Sequence, residues 1–176
     1  MLGTHGLRRI GGLACLEKLI PLVTVGGTFD VLHKGHWFLL EEAFNVSERV
    51  IIGLTTDDFA RRLKKPHKID RYEKRRRDLK KFLKEKGFSE RADILPIEDL
   101  YGPTIGSREC SGEIEGVIVS EETEPGAEEI NRIRVKEGKK PLLIIVVSMV
   151  LAEDGKPISS TRIRRQEVDR YGRLVG

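Results

Sequence analysis

The sequence is poor in cysteine and has no apolar run long enough to cross a membrane. Its two cysteines, Cys15 and Cys110, lie too far apart to resemble a zinc-binding pair, and a chain of this size does not need a disulfide scaffold. The most apolar segment, PLLIIVVSMVLA, is shorter than the roughly 20 residues that a transmembrane helix needs. These shortages argue against a disulfide-rich secreted protein or a membrane-spanning one, and we expect a reduced, cytoplasmic protein.

Neither sign of charge dominates the chain. It has 32 Lys and Arg residues against 28 Asp and Glu residues, and the net charge of +4 is weak evidence for an anionic partner. Nine of the basic residues lie between Arg71 and Lys86, where Leu79, Phe82 and Leu83 form an apolar stripe that can dock a helix. Aromatic residues are sparse in this segment and no nucleic-acid-binding motif accompanies it, so a solvated helix face is favoured over an RNA- or membrane-binding surface.

The length of the chain suits one α/β domain. A chain of 176 residues can bury one core and is hardly long enough for two. The first twenty residues hold an Arg pair before a short apolar run, but Glu17 and Lys18 interrupt that run and no small-residue cleavage pattern follows. We therefore expect residues 1–20 to be an N-terminal extension and residues 21–176 to form a single domain.

Strand-like and helix-like segments alternate along the chain. Short β-branched runs bounded by Gly, Pro or polar residues suit buried parallel strands, and the segments between them repeat apolar residues at helical spacing. Gly87 is well placed to end the basic helix. The alternation predicts an α/β fold with a doubly wound parallel sheet. The predicted strands are PLVTV, RVIIGLTT, ADILPI, GVIVS and LLIIVV, and the predicted helices are GHWFLLEEAFNVS, DRYEKRRRDLKKFLKEKGF, PGAEEINRIRVKEG and a last helix whose first turn holds Ser159, Ser160 and Thr161.

The stretch VGGTFDVLHKGH follows the first predicted strand and has the composition of a phosphate site. Gly26 and Gly27 lack a Cβ atom, so the backbone can approach a bulky anion closely. A helix is predicted to begin near Gly35, and its free N–H groups and positive dipole end attract phosphate. His33 and His36 are three residues apart across a turn and can both point to that place. Ligands bind at this edge of a parallel sheet, so we expect an anion there.

Other interpretations of the same stretch fit less well. No Gly-Lys-Ser/Thr follows, as a Walker loop requires, and the G-x-G-x-x-G dinucleotide pattern is also missing. A metal site built from Asp30, His33 and His36 would need a further ligand cluster, and His5 and His67 are the only other histidines. A glycine-rich turn followed by a histidine that caps the helix would explain each of these residues taken alone. It would not explain why glycines, an aspartate and two histidines occur together in this stretch.

Two signatures resemble those of the nucleotidyltransferase superfamily. GGTFDVLHKGH is similar to its H-x-G-H signature, and ISSTRIR, residues 158–164, is similar to its second signature near the C terminus. The resemblance implies a Rossmann-like nucleotidyltransferase fold and an enzyme that joins a nucleoside triphosphate to a phosphate and releases pyrophosphate. Such a transfer needs positioning and electrostatic stabilisation more than a covalent nucleophile.

The resemblance also implies roles for individual residues. His36 would stabilise the α-phosphate in the transition state, His33 would bind the triphosphate, and Thr28 would orient the incoming phosphate. The first turn after Ile158 would hold the β- and γ-phosphates, and Mg²⁺ would be held mainly by substrate oxygens and water rather than by a protein site. The implied nucleotide-binding residues are Gly27, Thr28, Phe29, Asp30, His33, His36, Ser120, Glu121, Thr123, Ser159, Ser160, Thr161 and Arg162.

Three phosphorylated acceptors are candidates within this superfamily. Nicotinamide mononucleotide enzymes usually carry a Gly-Arg-Phe type of first motif, where this chain has GTFD. Cytidylyltransferases that act on a small phosphorylated alcohol share the GTFDVLHKGH style, but they normally carry Arg-Thr-x-Gly before the second motif, where this chain has EDGKP. Both acceptors are therefore disfavoured, although cytidylyl transfer to a small phosphorylated alcohol stays open as an alternative.

From about Pro21 to Gly172 the chain resembles the archaeal phosphopantetheine adenylyltransferases and the matching domain of eukaryotic coenzyme A synthase. The similar segments include KKPHKIDRYEKR, DLYGPT, VIVSEET with GAEEINRIR, and ISSTRIR with EVDRYG. The resemblance implies adenylyl transfer from ATP to 4'-phosphopantetheine, giving dephospho-coenzyme A and pyrophosphate. Lys64 would reach the reacting phosphates from the opposite side of the cleft, and Asn131 would contact pantetheine. A nucleic-acid-binding protein with a degenerate nucleotide pocket is the alternative from a different functional class.

Overall fold

A computed structural model describes residues 19–105 and 113–176 of the chain, so Cys15 and Cys110 lie outside the described residues. Five parallel strands form one sheet in the order β3-β2-β1-β4-β5. The strands are β1 (Ile20–Gly27), β2 (Ser47–Thr55), β3 (Ala92–Ile97), β4 (Gly116–Ser120) and β5 (Leu143–Val147). The predicted doubly wound α/β fold is confirmed, because the strand order runs one way from β1 to β3 and the other way from β4 to β5.

Within the described ranges, five α-helices connect the strands or follow them. They are α1 (Lys34–Val46), α2 (Asp57–Arg62), α3 (Tyr72–Glu85), α4 (Glu124–Lys136) and α5 (Ser160–Arg164). Gly87 has φ +73 just beyond α3, as its predicted role in ending that helix requires. The short helix α2 is absent from the sequence prediction. Thr56 caps α2 by accepting a hydrogen bond from Phe59 N at 3.2 Å.

The strands alternate their side chains between two helical layers. Val23 of β1 and Ile118 of β4 pack on one face of the sheet with residues of α1 and α3. Val117 and Val119 of β4 pack on the other face with residues of α4. A parallel sheet covered on both faces needs continuous apolar strands, which explains why the strand segments lack a polar alternation.

The point where the strand order reverses lies between β1 and β4. The two strands pair through Val23, Thr24 and Val25 of β1. Beyond that pairing their carboxyl ends diverge into different loops, which opens a crevice at the sheet edge. The loop from Thr28 to His33 leaves β1 at this crevice, so the fold places the first signature where a doubly wound sheet binds its ligand.

Candidate functional site

A cavity of about 590 Å³ lies at the carboxyl ends of β1 and β4, and we call it the switch-point cavity. Its volume falls within the range of small-molecule and cofactor sites. Most of the residues that the sequence assigns to nucleotide binding line it. These are Gly27, Thr28, Phe29, His33, His36, Ser120, Thr123, Ser159 and Ser160.

The loop after β1 is held in a strained conformation. Phe29 has φ 47 and Val31 has φ 45, although neither residue is a glycine and Val31 is branched at Cβ. Positive φ at a β-branched residue costs energy and persists only where surrounding contacts enforce it. Phe29 is 1% exposed, so its ring is anchored in the core while the backbone turns above it.

Asp30, between the two strained residues, enforces that conformation. Its side chain is fully buried, and Arg164 donates to it through Nη2 to Oδ1 at 2.9 Å and through Nε to Oδ2 at 3.2 Å. Asp70 N donates to Asp30 Oδ1 at 3.0 Å, and the Ser160 hydroxyl donates to the Asp30 carbonyl. Asp30 and Arg164 belong to the first and second signatures, so this buried pair joins the two signatures directly.

His33 and His36 form a stacked pair at the N terminus of α1. His33 caps the helix, since its Nδ1 accepts a hydrogen bond from Gly35 N at 3.2 Å. The two rings lie with centroids 3.9 Å apart, and the Phe29 ring lies 5.3 Å from that of His36. His36 Nδ1 is buried without a hydrogen-bond partner among residues 19–105 and 113–176.

Both imidazoles are held in the neutral form. Burial, with a smaller contribution from the Lys65 charge, lowers the pKa of His33 from 6.5 to about 4. Burial, the neighbouring His33 ring and Lys65 lower the pKa of His36 well below 6.5. A neutral imidazole near pH 7 carries one N–H group, which can donate a hydrogen bond to a phosphate oxygen.

A family model described as cytidylyltransferase-like matches residues 24–166 of the chain. The chain belongs to the cytidylyltransferase-like family. It is 48% identical over 158 residues to a phosphopantetheine adenylyltransferase of Methanosarcina barkeri, which covers 88% of this chain and 93% of the relative. It is also 48% identical over 147 residues to the enzyme of the same name from Methanopyrus kandleri, covering 84% and 90%. The predicted resemblance to archaeal phosphopantetheine adenylyltransferases is therefore confirmed.

A solved structure shares this fold. The crystal structure of a protein with unknown function from Archaeoglobus fulgidus superposes with a TM-score of 0.62 at 31% sequence identity, covering 73% of this chain and 89% of that chain. Within the described part of this chain, no helix is long and apolar enough to span a bilayer.

Six residues that the sequence assigns to the site lie outside the cavity lining: Asp30, Lys64, Glu121, Asn131, Thr161 and Arg162. The Arg162 guanidinium forms ion pairs with Asp154 at 2.6 Å and with Glu167 at 3.1 Å. The Asn131 amide exchanges two hydrogen bonds with the backbone of Leu142, at 2.9 and 2.7 Å. Glu121 does not line the cavity, whereas its neighbour Glu122 does.

The lysine turn after α2 also differs from the sequence expectation. Lys64 has φ 47 and is exposed outside the cavity lining, whereas Lys65 lines the cavity.

Arg75 is a buried residue of this cytidylyltransferase-like protein that sequence reasoning missed. It is 1% exposed and donates from Nη1 to the Thr28 carbonyl at 2.8 Å, from Nη2 to the Thr55 carbonyl at 2.8 Å and from Nε to the Asp70 carbonyl at 2.7 Å. The hydrogen bond to the Thr28 carbonyl fixes the backbone of a residue that lines the cavity. One signal was available, since Arg75 and Leu79 are four residues apart and so lie on the same apolar stripe of α3.

Stability should fall as the pH is lowered from 7 to 5. Between pH 6.5 and about pH 4, His33 binds a proton in the unfolded chain but not in the folded protein. The free energy of unfolding therefore decreases as the pH falls. This one group contributes about 2 kcal/mol between pH 7 and pH 5. Urea unfolding of the wild type and of His33→Asn measures it, because asparagine keeps the capping acceptor and does not titrate. Equal pH slopes for the two proteins would contradict the prediction.

Proposed function

We propose that this protein transfers the adenylyl group of ATP to 4'-phosphopantetheine, giving dephospho-coenzyme A and pyrophosphate. The observation that carries the proposal is the neutral His33–His36 pair at the start of α1, beside a cavity at the switch point of the sheet. The 48% identity to relatives named phosphopantetheine adenylyltransferase supports the choice of nucleotide and acceptor.

The mechanism we propose is direct in-line transfer without a covalent enzyme intermediate. Helix α1 has 13 residues, and the positive end of its dipole favours an anion at the cavity wall. His36 donates to the α-phosphate as negative charge grows on its oxygens, and His33 contacts the triphosphate beside it. Thr28 orients the acceptor phosphate, since its backbone is fixed by Arg75 and its side chain lines the cavity.

Magnesium enters this proposal as part of the nucleotide substrate. The described residues contain no group of three His, Cys, Asp or Glu side chains placed to hold a metal ion. The one fully buried carboxylate of the first signature, Asp30, is already bound by Arg164. We therefore assign the protein the role of holding phosphate oxygens, and we assign no metal ligand to it.

The far side of the cavity suits an acceptor with a long uncharged arm. Phe59, Ile97, Leu100 and Tyr101 form an apolar part of its lining. Leu100 is 74% exposed, so an acceptor that covered it would remove apolar surface from water.

Pyrophosphate release tests the proposal. Purified protein with Mg²⁺ is assayed with ATP and with CTP, each combined with phosphopantetheine, nicotinamide mononucleotide and glycerol phosphate. Strong release is expected only with ATP and phosphopantetheine. Release with CTP and glycerol phosphate would instead establish the cytidylyl alternative, and salt-sensitive RNA binding by a folded but inactive protein would favour the nucleic-acid-binding one.

A further inference from the structure

Residues 168–174 fold into a short hairpin, which we call the C-terminal hairpin. Its two arms form an antiparallel bridge, and Asp169 N donates to the Arg173 carbonyl at 2.8 Å. The Asp169 carboxylate accepts from Tyr171 N at 2.8 Å and from Arg173 N at 2.9 Å, which closes the turn. These bonds fix the backbone that carries the Tyr171 side chain and the Arg170 carbonyl.

The C-terminal hairpin packs against the second signature. Gly172 has φ +88, and a Cβ atom there would lie 2.7 Å from Ile158 Cδ1 and 3.1 Å from Ala152 Cα. Such a φ and so close an approach both favour glycine. Glu153 N donates to the Gly172 carbonyl at 2.9 Å, and Val168 is 1% exposed in a cluster with Ile158. The hairpin is therefore held on the protein by packing and by a backbone hydrogen bond.

The same hairpin holds the first turn of α1 at two points. The Arg170 carbonyl accepts a hydrogen bond at 2.9 Å from the backbone N–H of Lys34, the first residue of α1. The Tyr171 and Trp37 rings lie edge to face, with centroids 5.3 Å apart and planes at 63°. Aromatic pairs prefer such an arrangement. His36 lies between these two contacts in the sequence, so the hairpin restricts where the His36 backbone can be.

The C-terminal hairpin acts on the cavity only through its neighbours. Residues 168–174 all belong to the described part of the chain, and none of them lines the switch-point cavity. The Tyr171 ring contacts α1, whereas Gly172 contacts the second signature. A substitution at Tyr171 therefore examines the contact with α1 separately.

We propose that Tyr171 is a positioning residue, which holds the start of α1 so that His36 meets the α-phosphate in the geometry that transfer requires. This inference rests on the proposed function and deepens it. His36 Nδ1 has no hydrogen-bond partner in the described ranges, so no bond at that atom fixes the ring and the backbone position matters more. A misplacement of about 1 Å at a reacting group can cost about 10²-fold in rate.

Steady-state kinetics of Tyr171→Ala test the ring contact. The change is expected to lower kcat for pyrophosphate release about tenfold and to leave KM for ATP nearly unchanged, because His36 acts in the transition state. Tyr171→Phe keeps the ring and should retain the wild-type rate. Leu174→Ala is the matched control, since Leu174 is 53% exposed on the same hairpin, and it should also retain that rate. Urea unfolding confirms that each variant is folded under the assay conditions.

Two kinetic outcomes contradict the proposal. Equal losses of kcat in Tyr171→Ala and Leu174→Ala would show a general effect of the hairpin on stability. An equal loss in Tyr171→Phe would show that the hydroxyl group, and not the ring contact, matters. Either result would overturn the positioning role of Tyr171.

A double-mutant cycle assigns the effect to α1. Trp37→Leu removes the other ring of the pair and is expected to lower kcat as well. If Tyr171 acts through Trp37, the Trp37→Leu/Tyr171→Ala protein is no slower than Trp37→Leu alone. Additive losses in kcat would show that Tyr171 acts elsewhere and would overturn the proposal.

The NMR signals of the His36 ring give a readout that does not depend on activity. The His33 and His36 rings stack with centroids 3.9 Å apart, so a shift of α1 changes the ring-current environment of both. Tyr171→Ala should move the His36 signals, whereas Tyr171→Phe and Leu174→Ala should leave them in place. Unmoved signals in Tyr171→Ala would overturn the proposal. A folded protein that releases no pyrophosphate with any substrate pair but shows the expected shifts would overturn the proposed function and leave Tyr171 as the residue that positions α1.

Discussion

His36→Ala is expected to lower kcat for pyrophosphate release by about 10³-fold, because the neutral imidazole that stabilises the α-phosphate is lost. The fold should survive the change. His36 Nδ1 has no hydrogen-bond partner in the described part of the chain, so removing it leaves no buried partner unsatisfied. Steady-state kinetics together with a urea unfolding curve separate the two effects.

The pH profile is a second test of the same residue. Because the pKa of His36 lies well below 6.5, the wild-type kcat should stay flat from pH 8 to pH 6 as far as this group is concerned. His36→Asn keeps a hydrogen-bond donor in place of the ring and should recover part of the loss. A folded His36→Ala protein that turns over at the wild-type rate would remove His36 from the mechanism.

Asp30→Ala is expected to lower the free energy of unfolding by about 3–5 kcal/mol. The change leaves the Arg164 guanidinium without its buried partner and Asp70 N without its acceptor, and breaking one side of a buried ion pair is strongly destabilising. It also releases the strained backbone at Phe29 and Val31, so kcat should fall as well. Urea unfolding measures the first effect and pyrophosphate release the second.

Two further variants make the Asp30 prediction specific. Asp93→Ala breaks an ion pair with Arg49 at 2.6 Å, but both side chains are nearly half exposed, so the loss should stay below about 1 kcal/mol. Asp30→Ala/Arg164→Met removes both charges of the pair, of which only Asp30 is fully buried, and should recover part of the stability. A loss in Asp30→Ala no larger than that in Asp93→Ala would show that the buried pair does not hold the two signatures together.

The elements themselves were predictable from local patterns. The segments ADILPI and GVIVS coincide with β3 and β4, and α3 begins two residues inside the predicted basic helix and ends three residues before its predicted end. Apolar periodicity and turn residues act over a few positions, so they can be recognised directly in the sequence. The six-residue helix α2 escaped prediction because it is too short to show a periodic apolar face.

The candidate site was predictable in part. The signature residues around His33 and His36 converge as expected, because they are local to one strand end and one helix start. The polar contacts behind them were not predicted. Asp30 was expected to face the nucleotide, yet its carboxylate is bound by Arg164, 134 positions away in the sequence. Arg75 lies among the basic residues between Arg71 and Lys86, which the sequence analysis assigned to a solvated helix face.

The sequence by itself determined the order of the five strands and of four of the five described α-helices, the place of the first signature at a strand end, and the family to which the chain belongs. Those properties depend on residues close together in the chain or on whole motifs. Only the tertiary structure decided which polar groups meet, such as Asp30 with Arg164, and which of two adjacent lysines faces the cavity. Such pairings depend on how distant segments pack, and in a buried site each charge must find a partner that the packing brings to it.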